Sequence, residues 1–341
     1  KGITIDGDDE VVGMICVEKN RKEDILVVSE HGYGKRTDLD DYRITNRGGK
    51  GVKAMATREE DYVETVFTAS THDSILFFTN LGKVYVRKGY RIPEAGRSAR
   101  GQNIVNIIPT DPGEKVSAMI AGRGVTEDNY LVFVTRNGTV KRTAQSAFKN
   151  IRSNGIRALS LDEGDELISV LQTTGEDKIL LATHDGMAIC FAETDARAMG
   201  RDAVGVRGIR LREGDYVVGA GIAAEGAAIL SITENGYGKR TDVGEYSVQN
   251  RGGMGLKNYN VTDKTGPVAD VVIVTGDEDL LVISDDGTII RMDVGSISLL
   301  SRSTQGVRVM RLTGDAKVIS IAHTVKEDSA EADSPEAREE S

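Results

Sequence analysis

The chain repeats itself about every fifty residues, and a chain that does so is constrained to stack like units. A β-rich run, a polar stretch, a glycine and a second β-rich run recur six times. They read "ILVVSEHGYGKRT", "ILFFTNLGKVYVRK", "YLVFVTRNGTVKRT", "ILLATHDGMAICF", "AILSITENGYGKRT" and "LLVISDDGTIIRM". The shared glycines are Gly32, Gly82, Gly138, Gly186, Gly236 and Gly287, spaced by 50, 56, 48, 50 and 51 residues. Polar residue–glycine pairs such as Asn137-Gly138 and Asp185-Gly186 favour the positive φ that a two-residue hairpin turn requires.

Two further elements keep the same period. About fifteen residues after each hairpin an arginine precedes a glycine by four positions, in "RGGKG", "RSARG", "RDAVG", "RGGMG" and "RSTQG", with a shortened "RSNG" in the third repeat. An opening strand begins each unit, and a seventh copy, "GDAKVISIAH", stands near the C-terminal end. The copy at Asp9–Val17 and the copy at Ala316–His323 therefore compete to close the ring. One sheet of four short strands cannot bury its own apolar faces, whereas neighbours stacked around an axis bury them for each other. The expectation is an all-β, six-bladed propeller-like ring over 1–325. Its repeats run at about 1–59, 60–110, 111–161, 162–211, 212–261 and 262–312, with a closing strand at 313–325.

Composition agrees with many tight turns, with 39 glycines against 5 prolines. No apolar run approaches the 18 residues or so of a membrane-spanning helix. The start, "KGITIDGDDE", has neither the basic nor the apolar region of a signal peptide. Cys16 and Cys190 lie far apart in unlike contexts, which fits a reducing cytoplasm. The net charge of −10 is uneven: 326–341, "KEDSAEADSPEAREES", carries seven acids against two bases, half of the total. With nothing apolar to anchor it, that tail reads as disordered.

The cations are periodic too. Second hairpin strands end in Lys35-Arg36, Arg87-Lys88, Lys141-Arg142, Lys239-Arg240 and a single Arg291, while the fourth repeat has "MAICF" instead. With the loop residues Arg47, Arg97, Arg100, Arg152, Arg201, Arg251 and Arg302, they are expected to form a belt. Regularly spaced cations can follow a phosphate backbone without reading bases. Few aromatics alternate with them, which argues against a platform for stacking single strands. The stretch "NRGGKG" at 46–51 is not a nucleotide loop, because Gly51 follows Lys50 where a hydroxyl must bind magnesium. The four histidines, His31, His72, His184 and His323, lack metal-ligand spacing.

"TNRGGKG", Thr45–Gly51, resembles the Q-R-R-G-G-K-G box of the C-terminal domain of the DNA gyrase A chain, agreeing at five of seven positions. "THDSILFFTNLGKVY", "ARAMGRDAVGVRGIRL" and "RSTQGVRVMRL" are similar to that family as well, in the same order. The resemblance implies a β-pinwheel whose neighbouring blades exchange strands and whose basic rim bends duplex DNA. It implies box residues Thr45, Asn46, Arg47, Gly48, Gly49, Lys50 and Gly51, with Arg47 and Lys50 on phosphates and the glycines shaping the loop. It also implies an ATP-dependent topoisomerase with a separate N-terminal DNA-gate region and a second type of chain, gyrase B, in an A2B2 cytoplasmic assembly. The isolated domain would be a monomer without a membrane contact. ATP and Mg2+ would act in other parts of that enzyme, and this chain carries neither its catalytic tyrosine nor a cofactor. A near-box, "QNRGGMG" at 249–255, has Met254 where the box has lysine. The alternatives are a topoisomerase IV-type domain, a propeller scaffold for protein partners, and a propeller enzyme with a central site.

Overall fold

The computed structural model describes residues 3–4, 24–29, 33–38, 49–50, 63–96, 99–103, 106–121, 129–276, 278–284, 289–312 and 316–325. Among them the regular structure is strand, with 3-10 turns after five of the hairpins and no α-helix. Each hairpin forms the middle of its own sheet, as in Tyr130–Thr135 paired with Thr139–Ala144, Val132 opposite Arg142.

The two flanking strands come from different parts of the chain. Leu167–Thr173 returns to the near edge of the sheet and pairs with Tyr130–Thr135. The far edge is taken by Val206–Arg207, two residues from beyond the next hairpin. The same order holds in the first, second, fourth and fifth sheets, whose far-edge strands are Gln102–Asn103, Ile156–Arg157, Leu256–Lys257 and Val307–Arg308. Neighbouring blades therefore exchange strands. The near-edge strands Val217–Ile222 and Val268–Val274 approach closely: a Cβ on Gly219 would lie 2.9 Å from Val271 O. These edges converge on one side of the array, so the two-residue strands lie along its outside.

The sixth sheet has three described strands, Glu278–Ser284, Ile289–Asp293 and Val318–Val325. The C-terminal copy of the opening strand fills its near edge, so six hairpins use the six opening strands that follow them. The copy at Asp9–Val17 and the tail at 326–341 lie outside the described residues. Near the N-terminus, Ile3–Thr4 pairs in parallel with Gly49–Lys50.

The core lies between blades and not within one. Five apolar clusters occupy the five interfaces from blade one to blade six. Ile75 and Phe77 point into the interface with the first blade, and Leu76 and Phe78 into that with the third. Both faces of the hairpin are covered, which is why "ILFF" is continuously apolar and does not alternate. Cys190 is buried between the fourth and fifth blades, and burial raises its thiol pKa.

The turns differ from the two-residue type expected. In each described turn the glycine N–H closes onto a threonine carbonyl three residues back, Gly138 to Thr135 O at 3.0 Å and Gly186 to Thr183 O at 3.0 Å. The threonine Oγ1 then accepts the next N–H, from Thr139 at 3.1 Å and Met187 at 3.2 Å. The buried threonine hydroxyl lengthens the loop, and positive φ is needed at the glycine alone.

Candidate nucleic-acid interface

The strand-end lysines are not surface residues. Lys35, Lys141 and Lys239 are 1%, 0% and 0% exposed, because they occupy a middle strand covered on both faces. Each ammonium is spent on carbonyls. Lys35 donates to Gly96 O at 2.8 Å. Lys141 donates to Ala158 O and Arg201 O, both at 2.5 Å. Lys239 donates to Ser301 O at 2.6 Å and Arg302 O at 2.7 Å. Burial pulls the pKa of Lys141 and of Lys239 down to about 8, each opposed in part by one carboxylate, Asp202 and Glu245 respectively.

Their arginine neighbours are held in the same way. Arg36 pairs with Asp24 at 2.5 Å and Glu94 at 2.8 Å. Arg142 donates through Nε to Ala196 O at 2.9 Å and lies 3.6 Å from the buried Glu193. Arg240 reaches Ile297 O at 2.8 Å. In the second blade Arg87 is half-buried and donates to Ile107 O and Ser153 O, and burial lowers its pKa. Lys88 is exposed, its Nζ 3.2 Å from His72 O. The expected belt is thus corrected at Lys35, Arg36, Lys141, Arg142 and Lys239. At these five positions the middle-strand charge is 9% exposed or less, and most of its acceptors come from segments beyond its own hairpin. Arg291 lies in Ile289–Asp293, but its side chain is outside those described.

The loop arginines lie further out. Arg152 is exposed, while Arg201, Arg251 and Arg302 are half-buried. Each of these three donates to the preceding far-edge strand: Arg201 to Arg157 O at 3.5 Å, Arg251 to Arg207 O at 3.0 Å, Arg302 to Lys257 O at 3.3 Å. Arg100 stacks over the Tyr33 ring at 3.5 Å. Arg97 lies outside the described residues, as do Thr45, Asn46, Arg47, Gly48 and Gly51 of the box. Gly49 and Lys50 are described only as backbone pairing with Ile3 and Thr4.

A row of cations was missed by the strand-end reading. Arg157, Arg207, Lys257 and Arg308 are the second residues of successive far-edge strands, and all four are exposed. Among the described residues none of them forms an ion pair with a carboxylate. Their polar contacts are with neutral groups, such as Lys257 with Asn260 at 2.7 Å and Arg308 with Tyr237 Oη at 2.7 Å. The signal is a basic residue two positions after the loop glycine, in "GIR", "GVR", "GLK" and "GVR", and in the "GVK" of 51–53. His184 stacks on Tyr216 at 4.5 Å and meets Glu234 at 3.0 Å.

A family model described as DNA gyrase C-terminal domain, beta-propeller, matches at residues 1–18, 23–70, 73–122, 129–174, 177–224, 228–275 and 278–324. The chain belongs to the DNA gyrase C-terminal domain family. The DNA gyrase A chain of Staphylococcus aureus (strain MRSA252) is 47% identical over 310 residues, which is 90% of this chain and 35% of that protein. Its counterpart in strain NCTC 8325 / PS 47 is likewise 47% identical, over 307 residues. The chain thus spans about a third of the length of these gyrase proteins. Among solved structures, the C-terminal domain of DNA topoisomerase IV superposes with a TM-score of 0.78 at 27% identity, covering 89% of this chain and 94% of that one. The DNA gyrase A C-terminal domain gives 0.71 at 26%, covering 89% and 100%. The family matches of 23–70 through 278–324 each begin at a hairpin and end with the strand that returns to it, so each spans a hairpin and the near-edge strand of one sheet.

Proposed function

We propose that this chain binds duplex DNA along its outer edge with little sequence preference. The bound DNA is bent into a loop of one hand for the DNA-gate region of a gyrase-type topoisomerase. Within an A2B2 enzyme the loop would serve ATP-dependent negative supercoiling, with ATP and Mg2+ used by the other parts and the cytoplasm as its place. The observation that carries this reading is the row of Arg157, Arg207, Lys257 and Arg308, exposed at one register on successive outer strands. Phosphates also recur regularly, and bending a 20–30 bp site costs on the order of 1–6 kcal/mol, which must be offset by distributed contacts. Arg152, Arg201, Arg251 and Arg302 flank the row, which Arg47 and Lys50 of the box would extend in the first repeat, and Lys88 is a further exposed cation. The structural likeness to the topoisomerase IV domain keeps a second reading, in which the same edge holds DNA without supplying a loop of fixed hand.

The test is to incubate the chain with nicked circular plasmid, seal with ligase and measure the linking-number shift. The same titration is run with Arg47→Ala/Lys50→Ala and with Arg207→Ala/Lys257→Ala. A protein-dependent shift of one sign, reduced by both pairs, is expected. Binding with no shift favours the topoisomerase IV-type reading. Absence of binding at low salt rules the DNA reading out.

A further inference from the structure

The third loop departs from its relatives. Arg152 precedes Gly155 by three positions, whereas Arg201, Arg251 and Arg302 precede their glycines by four. The shorter loop leaves an open cleft of about 690 Å³ between it and the loop of the fourth repeat. Its walls carry Arg152, Arg157 and Arg201, with Asn150, Asn154 and Ile156 between them, and no carboxylate lines it. Among the described residues the guanidinium of Arg152 makes no hydrogen bond or ion pair, and that of Arg157 reaches only Ser160 Oγ at 3.4 Å. The corresponding guanidinium of the sixth repeat lies 3.8 Å from Glu245, and that of the fifth donates to two carbonyls. Beneath the cleft, the ammonium of Lys141 holds one carbonyl from each wall, Ala158 O and Arg201 O.

We propose that this cleft seats one backbone phosphate of duplex DNA, gripped jointly by Arg152, Arg157 and Arg201, with Lys141 as the positioning residue that ties its walls together. The proposal rests on the DNA-binding reading. A phosphodiester offers two unesterified oxygens, and guanidinium forks match them with paired, charge-assisted hydrogen bonds. Scattered exposed cations attract DNA but leave it free to slide, whereas a built seat fixes its register on the ring. The seat thus adds position to a row that otherwise supplies only attraction.

The experiment measures binding of the whole 341-residue chain to a labelled 40 bp duplex as a function of salt. It compares R152A, R157A, R201A and their triple with R207A, K257A and their double. Each phosphate contact contributes about 0.9 to the slope of log K against log [salt]. If three arginines share one phosphate, the triple lowers the slope by about 0.9 in all, and the singles do not add. If they are independent, the triple lowers it by about 2.7, as the outer-strand double lowers it by about 1.8, and the seat is overturned. K141M is expected to reproduce the loss of the triple with all three arginines present, and K239M, the matched buried lysine, to leave the cleft intact. A K141M chain that fails to fold leaves the arginine series to decide. Wild-type chain that does not bind at low salt would defeat the DNA reading itself, an outcome distinct from additive arginines.

Discussion

At the scale of single residues, the buried lysines carry most of what is unusual here. Lys141 and Lys239 titrate near pH 8 in the folded chain, against about 10.4 when unfolded. Between those values the unfolded chain holds protons that the folded chain has released, so stability rises with pH. The buried Tyr85, Tyr246 and Tyr259 act in the opposite sense. Burial pushes their pKa values up, so above about pH 10 the unfolded chain ionises first and stability falls. Urea denaturation at pH 7, 8.5, 9.5 and 11 is expected to show a maximum near pH 9.5. The double variant Lys141→Met/Lys239→Met should flatten the rise and keep the fall. A rise of the same size in that variant would assign it to other groups. These lysines were illegible when each strand was read alone, since charge at a strand end reads as surface. The repeats taken together contain the correction. Lys35, Lys141 and Lys239 alternate with Tyr85, Ile189 and Ile290 at the same register, and a position apolar in every second repeat points inward.

At the scale of elements, strand exchange depends on how closely one backbone can approach another. Gly255 has φ +72, and a Cβ there would lie 2.2 Å from Ala188 O in the preceding hairpin. Its neighbour Gly253 has no atom nearer than 3.7 Å to the same construction. Gly255→Ala is therefore expected to cost at least about 1–3 kcal/mol from backbone strain alone, and Gly253→Ala less than about 0.5 kcal/mol. Denaturant midpoints of the two variants check this, and equal losses would mean that the loop relaxes freely. By register Gly51 in the first loop corresponds to Gly255 and Gly49 to Gly253, so the last glycine of the box is expected to be the less replaceable. The hairpins were legible in the sequence because a long apolar run broken by T-x-x-G is a strong local signal. The two-residue outer strands were not, since so short a strand carries no period. The one mark they leave is the basic residue two positions after the glycine. The cation row at Arg157, Arg207, Lys257 and Arg308 went unread for that reason.

At the scale of the whole molecule, the closing strand and the acidic tail meet at Val325. The sixth sheet holds its hairpin against Val318–Val325, with Val318 1% and Ile321 8% exposed in the cluster shared with the fifth blade. Ending the chain after Leu312 removes both side chains from that cluster. It should cost at least about 3–6 kcal/mol from their burial alone, besides leaving Glu278–Ser284 with an unpaired edge. Ending it after Val325 removes only 326–341, and the unfolding midpoint should stay where it is. The two truncations also separate the structural from the electrostatic contribution. The tail carries −5 of the net −10, so the shorter chain keeps the outer cations and loses half of the net negative charge. Tethered polyanions compete with DNA for the same cations, and the competition weakens as salt screens it. The chain ending at Val325 is therefore expected to bind a 40 bp duplex more tightly than the full chain at 50 mM salt, with the difference shrinking by 300 mM. Equal affinity at both salts would mean that the tail does not reach the outer edge. The net charge of −10 would then restrain DNA binding only through its long-range field.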